Sequence, residues 1–117
     1  MADILNMDNL REIIDHDKVL ERELISNFHT CYHICISELG EAITNQDDVL
    51  WRNAAHALKG IAFNLGAESL GELSLQAEHA SDIPYPQKVQ MLEELKKSYA
   101  AVCQELKQQE LKQAAAS

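Results

Sequence analysis

The chain has 117 residues, of which 46 % are hydrophobic and 25 % charged, with four Gly, two Pro and 5 % aromatics. That length suits one small domain, and that composition favours a helical globule over a turn-rich β fold. The formal net charge of −9 argues against nucleic-acid binding and against anionic membranes, both of which present negative phosphates.

The N-terminal MADILNMDN is acidic and lacks the basic and apolar regions of a secretory signal. No apolar run approaches the ~20 residues that span a bilayer. A cytoplasmic location is therefore expected. From Met7 to about Asp15 a short helix is predicted, with Asn6 or Asp8 near its start and Leu10, Ile13 and Ile14 on one side. Asp15-His16-Asp17 breaks it, and Asp17 can cap the next helix.

The second helix is predicted from about Lys18 to Asn45. Leu24, Phe28, Cys31, Cys35, Leu39 and Ala42 recur three or four apart and form one apolar stripe. Both cysteines lie on it as small hydrophobes. With Cys103 they make an odd count without a CxxC pair, which is neither a disulfide framework nor a zinc site. Thr44 to Asp48 is a break in which Asn45 or Asp47 can cap a third helix reaching about Leu65. Gly66 suits a left-handed C-cap. A fourth helix follows from Ala67 to about Ala80, with Leu70, Leu73 and Ala77 in register, and Asp82-Ile83-Pro84-Tyr85-Pro86 stops it. The last helix is predicted from about Pro86 to Leu111, where Leu92, Leu95, Tyr99, Val102 and Leu106 form a bundle seam.

Short breaks join these amphipathic segments, and no linker or internal repeat divides them. The expected fold is an all-α, antiparallel up-and-down four-helix bundle with a short extra N-terminal helix. Residues 1–117 read as one domain, with a core of about 7–111 and a frayed tail over 112–117. One bundle can bury its own stripes, so a monomer is expected. There is no Gly-rich phosphate loop, so no obvious nucleotide site of the chain's own is expected.

The third helix carries a residue outside the core pattern. Leu50, Ala54, Ala57, Leu58, Ile61 and Leu65 define its expected core-facing arc, and His56 points away from it. Arg52 and Lys59 flank His56 at i−4 and i+3, and Gly60 lies at i+4. Val49 and Phe63 put apolar area on the same outward side, a candidate docking patch. A surface histidine among charged residues is commonplace, but a mid-helix Gly costs about 1 kcal/mol relative to Ala. That cost makes sense if another molecule approaches the backbone beside His56. Imidazole is a nucleophile at neutral pH, and its P–N bond to phosphorus is labile. Lys59 can neutralise phosphoryl oxygens as a point charge.

The segment Ala55-His56-Ala57-Leu58-Lys59-Gly60-Ile61-Ala62-Phe63-Asn64-Leu65-Gly66 resembles the signature of the histidine phosphotransfer (HPt) family: a His, then Leu-Lys-Gly, then Leu-Gly before the next helix. The resemblance extends more loosely over about Met7–Leu111. It implies that His56 is phosphorylated through Nε2, that Lys59 stabilises the phosphoryl group, and that Gly60 gives clearance to a partner. It implies receiver domains of response regulators and a hybrid sensor histidine kinase as partners, with Mg²⁺ bound by the receiver and no cofactor of the chain's own. The chain would then be a phosphocarrier without kinase activity, free-standing or part of a larger hybrid kinase. Some family members carry a Gln on the following helix that supports the active His, and the matching position here is Glu78. An anionic Glu accepts a hydrogen bond from imidazole but repels phosphate.

Two other readings compete. One is a non-catalytic bundle that binds receivers or kinases as a regulator, with His56 unused. The other is a histidine kinase fragment, against which stands the lack of a nucleotide-binding domain. His29 and His33, at i and i+4 on the second helix, have metal-ligand spacing but no third ligand, and read as a solvated face.

Overall fold

A computed structural model of the chain describes residues 2–116. These residues form α1 (Asp8–Ile13), α2 (Lys18–Asn45), α3 (Asp48–Leu65), α4 (Glu68–His79) and α5 (Tyr85–Ala116), without a strand among them. Helices α2 to α5 make an all-α, antiparallel up-and-down bundle, and α1 is the short extra helix at its N-terminal side. The particle measures 50 × 24 × 21 Å, elongated by the long α2 and α5.

The breaks between helices have local causes. Asp17 caps α2 by accepting from the backbone N–H of Val19 and Leu20, and Asp47 caps α3 by accepting from that of Leu50. Asp15, His16 and Gln46 adopt left-handed backbone angles at the two corners. Gly66 ends α3 at φ 96°, and its N–H reaches the Ala62 and Phe63 carbonyls. Only Gly fits there, because a Cβ would collide with the Asn6 carbonyl of the N-terminal segment. That segment straps the α3–α4 corner: Asn6 N–H donates to the Gly66 carbonyl at 2.8 Å, and Ser69 N–H donates to the Asp3 carbonyl at 2.9 Å.

The core is a column of apolar side chains from all four bundle helices, centred on Phe28, Leu39, Trp51, Leu58, Leu70 and Leu95. Each large apolar side chain so buried contributes roughly 1.5–3 kcal/mol. Trp51 is fully enclosed, and its indole N–H donates to the Ala77 carbonyl at 2.8 Å, tying α3 to α4.

Four expectations need correction. The buried arc of α3 runs through Trp51, Ala54, Ala55, Leu58, Ala62 and Leu65, and Ala57 is exposed. The arc is rotated because α3 packs against both α2 and α4. On α2 the stripe includes Tyr32, while Cys31 is only half-buried. Ile13 is exposed, because α1 turns its Leu10 side to the core. Finally, α5 runs past the expected Leu111 to Ala116, because the Lys, Gln and Ala residues there contain no helix breaker. Ser117, the end of the expected frayed tail, lies outside the described residues.

One buried charge was not foreseen. Lys88, near the start of α5, is fully enclosed. Its ammonium donates to Asp48 Oδ1 and to the Ser81 carbonyl, both at 2.6 Å, and lies 4.5 Å from the centre of the Tyr85 ring. The pairing joins the start of α5 to the start of α3. No helix among the described residues is long and apolar enough to cross a membrane.

Candidate functional site

His56 sits midway along α3, outside the arc set by Trp51 and Leu58, with its side chain 66 % exposed. Lys59 follows one turn later, so its side chain rises along the same flank of the helix. The Gly66 turn folds α4 back against α3, which brings Glu78, in the last turn of α4, level with both. Glu78 Oε2 lies 2.7 Å from His56 Nδ1, and Glu78 Oε1 accepts from Lys59 Nζ at 2.7 Å. One carboxylate thus spans the two basic groups and is itself only 18 % exposed.

This arrangement sets the chemistry of the imidazole. A carboxylate accepts but does not donate, so the ring proton stands on Nδ1 and points at Glu78. In the neutral ring the free lone pair is then on Nε2. The Lys59 ammonium bonded to Glu78 holds its carboxyl below the usual carboxylate range, and the His56 hydrogen bond adds to this against the opposing effect of desolvation. Glu78 is therefore anionic at neutral pH.

Gly60 adjoins this cluster, and a Cβ built on it meets nothing within 4 Å. No internal packing demands a glycine at this position. Gly71 of α4 is the opposite case, because a Cβ there would lie 2.6 Å from the Phe63 ring. Phe63 lays its ring over this glycine and still keeps 43 % of its surface exposed. Gly71 escaped the sequence reading, although a glycine inside an amphipathic helix was a signal of close approach. Val49 and Arg52 are exposed on the N-terminal half of α3. The residues singled out in the sequence thus divide in two. His56, Lys59 and Glu78 are hydrogen-bonded together, and Val49, Arg52 and Phe63 lie along the exposed side of the same helix.

His29 departs from its expected solvated setting. It is half-buried, and its Nδ1 lies 2.6 Å from the Tyr99 hydroxyl of α5. Tyr99 stacks on Tyr32 at 3.5 Å between ring centres. His33 remains exposed, with its ring edge against both tyrosines. Among the described residues, no three His, Cys, Asp or Glu side chains are grouped to hold a metal ion.

A family model described as the Hpt domain matches residues 23–105, which include α3, α4 and all three residues of the His56 cluster. No curated protein and no solved structure matches the chain significantly.

Proposed function

The chain belongs to the Hpt domain family, and from that premise we propose that it is a phosphorelay intermediate whose acceptor is His56. Hpt domains carry phosphoryl groups in two-component signalling, have no kinase activity of their own, and interact with receiver domains and histidine kinases. In this reading, His56 takes the group from an aspartyl phosphate of one receiver, within a hybrid sensor kinase, and passes it to the receiver of a response regulator.

The observation that carries the reading is the orientation of the ring. Nδ1 is engaged by Glu78, and Nε2 is the nitrogen left to react. The Nε2 lone pair attacks phosphorus, the P–O bond to the receiver's aspartate breaks, and the aspartate leaves as a carboxylate. Lys59 offers its positive charge to the phosphoryl oxygens. Gly60 leaves room for the receiver to come close, and Val49, Arg52 and Phe63 form the rim it rests on. The receiver brings its own Mg²⁺. The chain acts in the cytoplasm as a monomer, and binding is transient because the partner must leave after each transfer.

The test is phosphotransfer from phosphorylated receiver domains, followed as acid-labile label. Wild type should accept the label and His56→Gln should not. Label retained by His56→Gln at the wild-type level would sink the assignment. Binding of receivers with no transfer to wild type would favour the regulatory bundle instead.

A further inference from the structure

The seam between α3 and α4 carries a second feature beside the phosphoacceptor. On α3, His56, Lys59 and Phe63 follow one another at i, i+3 and i+7, and on α4 Gly71, Leu75 and Glu78 do so at i, i+4 and i+7. The two stripes run antiparallel and face each other. Glu78 bonds His56 and Lys59 at one end, and the Phe63 ring covers Gly71 at the other. Leu75 therefore lies between these two contacts. We infer that Phe63, laid over Gly71, is an apolar anchor that decides which receiver domains the chain accepts, and that Gly71 is the residue that positions it. The inference rests on the phosphorelay reading above.

Three observations carry it. The first is exposure. A ring packed on a helix glycine for stability alone would be closed over by its neighbours, yet Phe63 keeps 43 % of its surface exposed and Leu75 keeps 37 %. Glu68, Glu72 and Gln76 keep the outer side of α4 polar, so the apolar step is confined to the seam. The second is reach. Seven residues of helix place Phe63 about 10 Å along α3 from His56. Even a small transient interface covers about 600 Å² of each partner, a disc about 14 Å in radius. A receiver centred on Nε2 of His56 thus covers Phe63 and Leu75 as well.

The third is fixity. A Cβ at Gly71 would stand 2.6, 2.7 and 2.9 Å from three carbons of the Phe63 ring, so any other residue there displaces the ring. With glycine the ring is seated before a partner arrives, and a side chain already held in place loses little freedom on docking. The chemistry of the partner follows. An accepted receiver sets an apolar side chain against Phe63 and Leu75, as the centres of interfaces do. A receiver with an unpaired charge at that place has the charge desolvated against the ring, and is rejected.

Single-turnover transfer from a panel of phosphorylated receivers tests this, with receiver concentration varied so that half-saturation and maximal rate are read separately. For the receiver that wild type accepts best, Phe63→Ala should raise the half-saturating concentration about tenfold, the loss expected of an interface anchor. Gly71→Ala should raise it about three- to tenfold, because the displaced ring no longer fits. A defect of folding or of the His56 cluster would instead lower the maximal rate. Thermal melts run in parallel establish that the variants are folded, and Phe63→Ala decides the anchor role by itself. Gly71→Ala in a Phe63→Ala background should bring no further loss, since the glycine acts through the ring. Across the panel, Phe63→Ala should narrow the spread between the best and the worst receivers. Wild-type half-saturation in Phe63→Ala overturns the inference and leaves the phosphorelay reading intact. A further loss on adding Gly71→Ala to Phe63→Ala overturns the role given to Gly71. Wild type that takes phosphate from no receiver overturns both readings.

Discussion

Replacing Gly60 with alanine separates stability from function. A glycine inside a helix is about 1 kcal/mol less favourable than alanine, because its backbone loses more freedom on folding. A clash would cancel that gain, but a Cβ at Gly60 finds nothing within 4 Å. Gly60→Ala should therefore stabilise the protein by roughly 1 kcal/mol, a rise in Tm of about 3–6 °C for a chain of this size. Urea titration gives the same quantity independently, with an unchanged slope expected because the folded surface is unchanged. The added methyl group sits one turn beyond His56, where the receiver is proposed to approach. Overpacking at a close interface costs about 1–3 kcal/mol, so transfer from a phosphorylated receiver should slow by about tenfold or more. A variant less stable than wild type would refute the open space beside Gly60. A more stable variant that transfers at the wild-type rate would refute the clearance role.

Trp51→Phe should destabilise by about 1–3 kcal/mol in urea titrations, because it empties volume in the closed core and removes the 2.8 Å indole bond to the Ala77 carbonyl, which keeps only the Ala80 N–H; a loss under about 0.5 kcal/mol would contradict that role. His29 gives a pH dependence. Burial lowers its pKa in the fold, with His33 adding to the effect. The unfolded chain then takes up this proton near pH 6.5, before the folded chain does. Stability should accordingly hold above that pH and fall as the pH drops through about 6.5 toward the folded value. His29→Gln should flatten this part of the stability profile, and an unaltered profile would show that His29 does not cause it.

The architecture was legible because its punctuation is chemical. Asp17, Asp47 and Gly66 carry capping preferences strong enough to place the helix boundaries, and each caps where its residue type suggests. The exposure of His56 was legible for a similar reason, since helical phase alone puts it opposite the leucines of α3. What phase did not give was the exact rotation of α3. Trp51 lay outside the expected arc and Ala57 inside it, because a helix held between two neighbours buries a wider sector than one seam. Small residues hid the contact further: Ala55 and Ala62 are fully buried but carry little hydrophobic signal. Lys88 was illegible in principle. A lysine near a helix start reads as solvated, and only the fold brings Asp48, Ser81 and two aromatic rings around it. Glu78 lies between these cases. Its place in the chain was indicated by resemblance to the family, but the bond from its second oxygen to Lys59 depends on how α4 packs along α3.

The central claim, that Nε2 of His56 is the atom that carries phosphate, can be read directly. Phosphorylated protein labelled with ¹⁵N on histidine is examined by ¹H–¹⁵N and ³¹P NMR, with the five histidines assigned by single substitutions. The account predicts one phosphorylated ring, that of His56, with phosphorus on Nε2 and a proton retained on Nδ1. Phosphorus on Nδ1, or on His16, His29, His33 or His79, would contradict it.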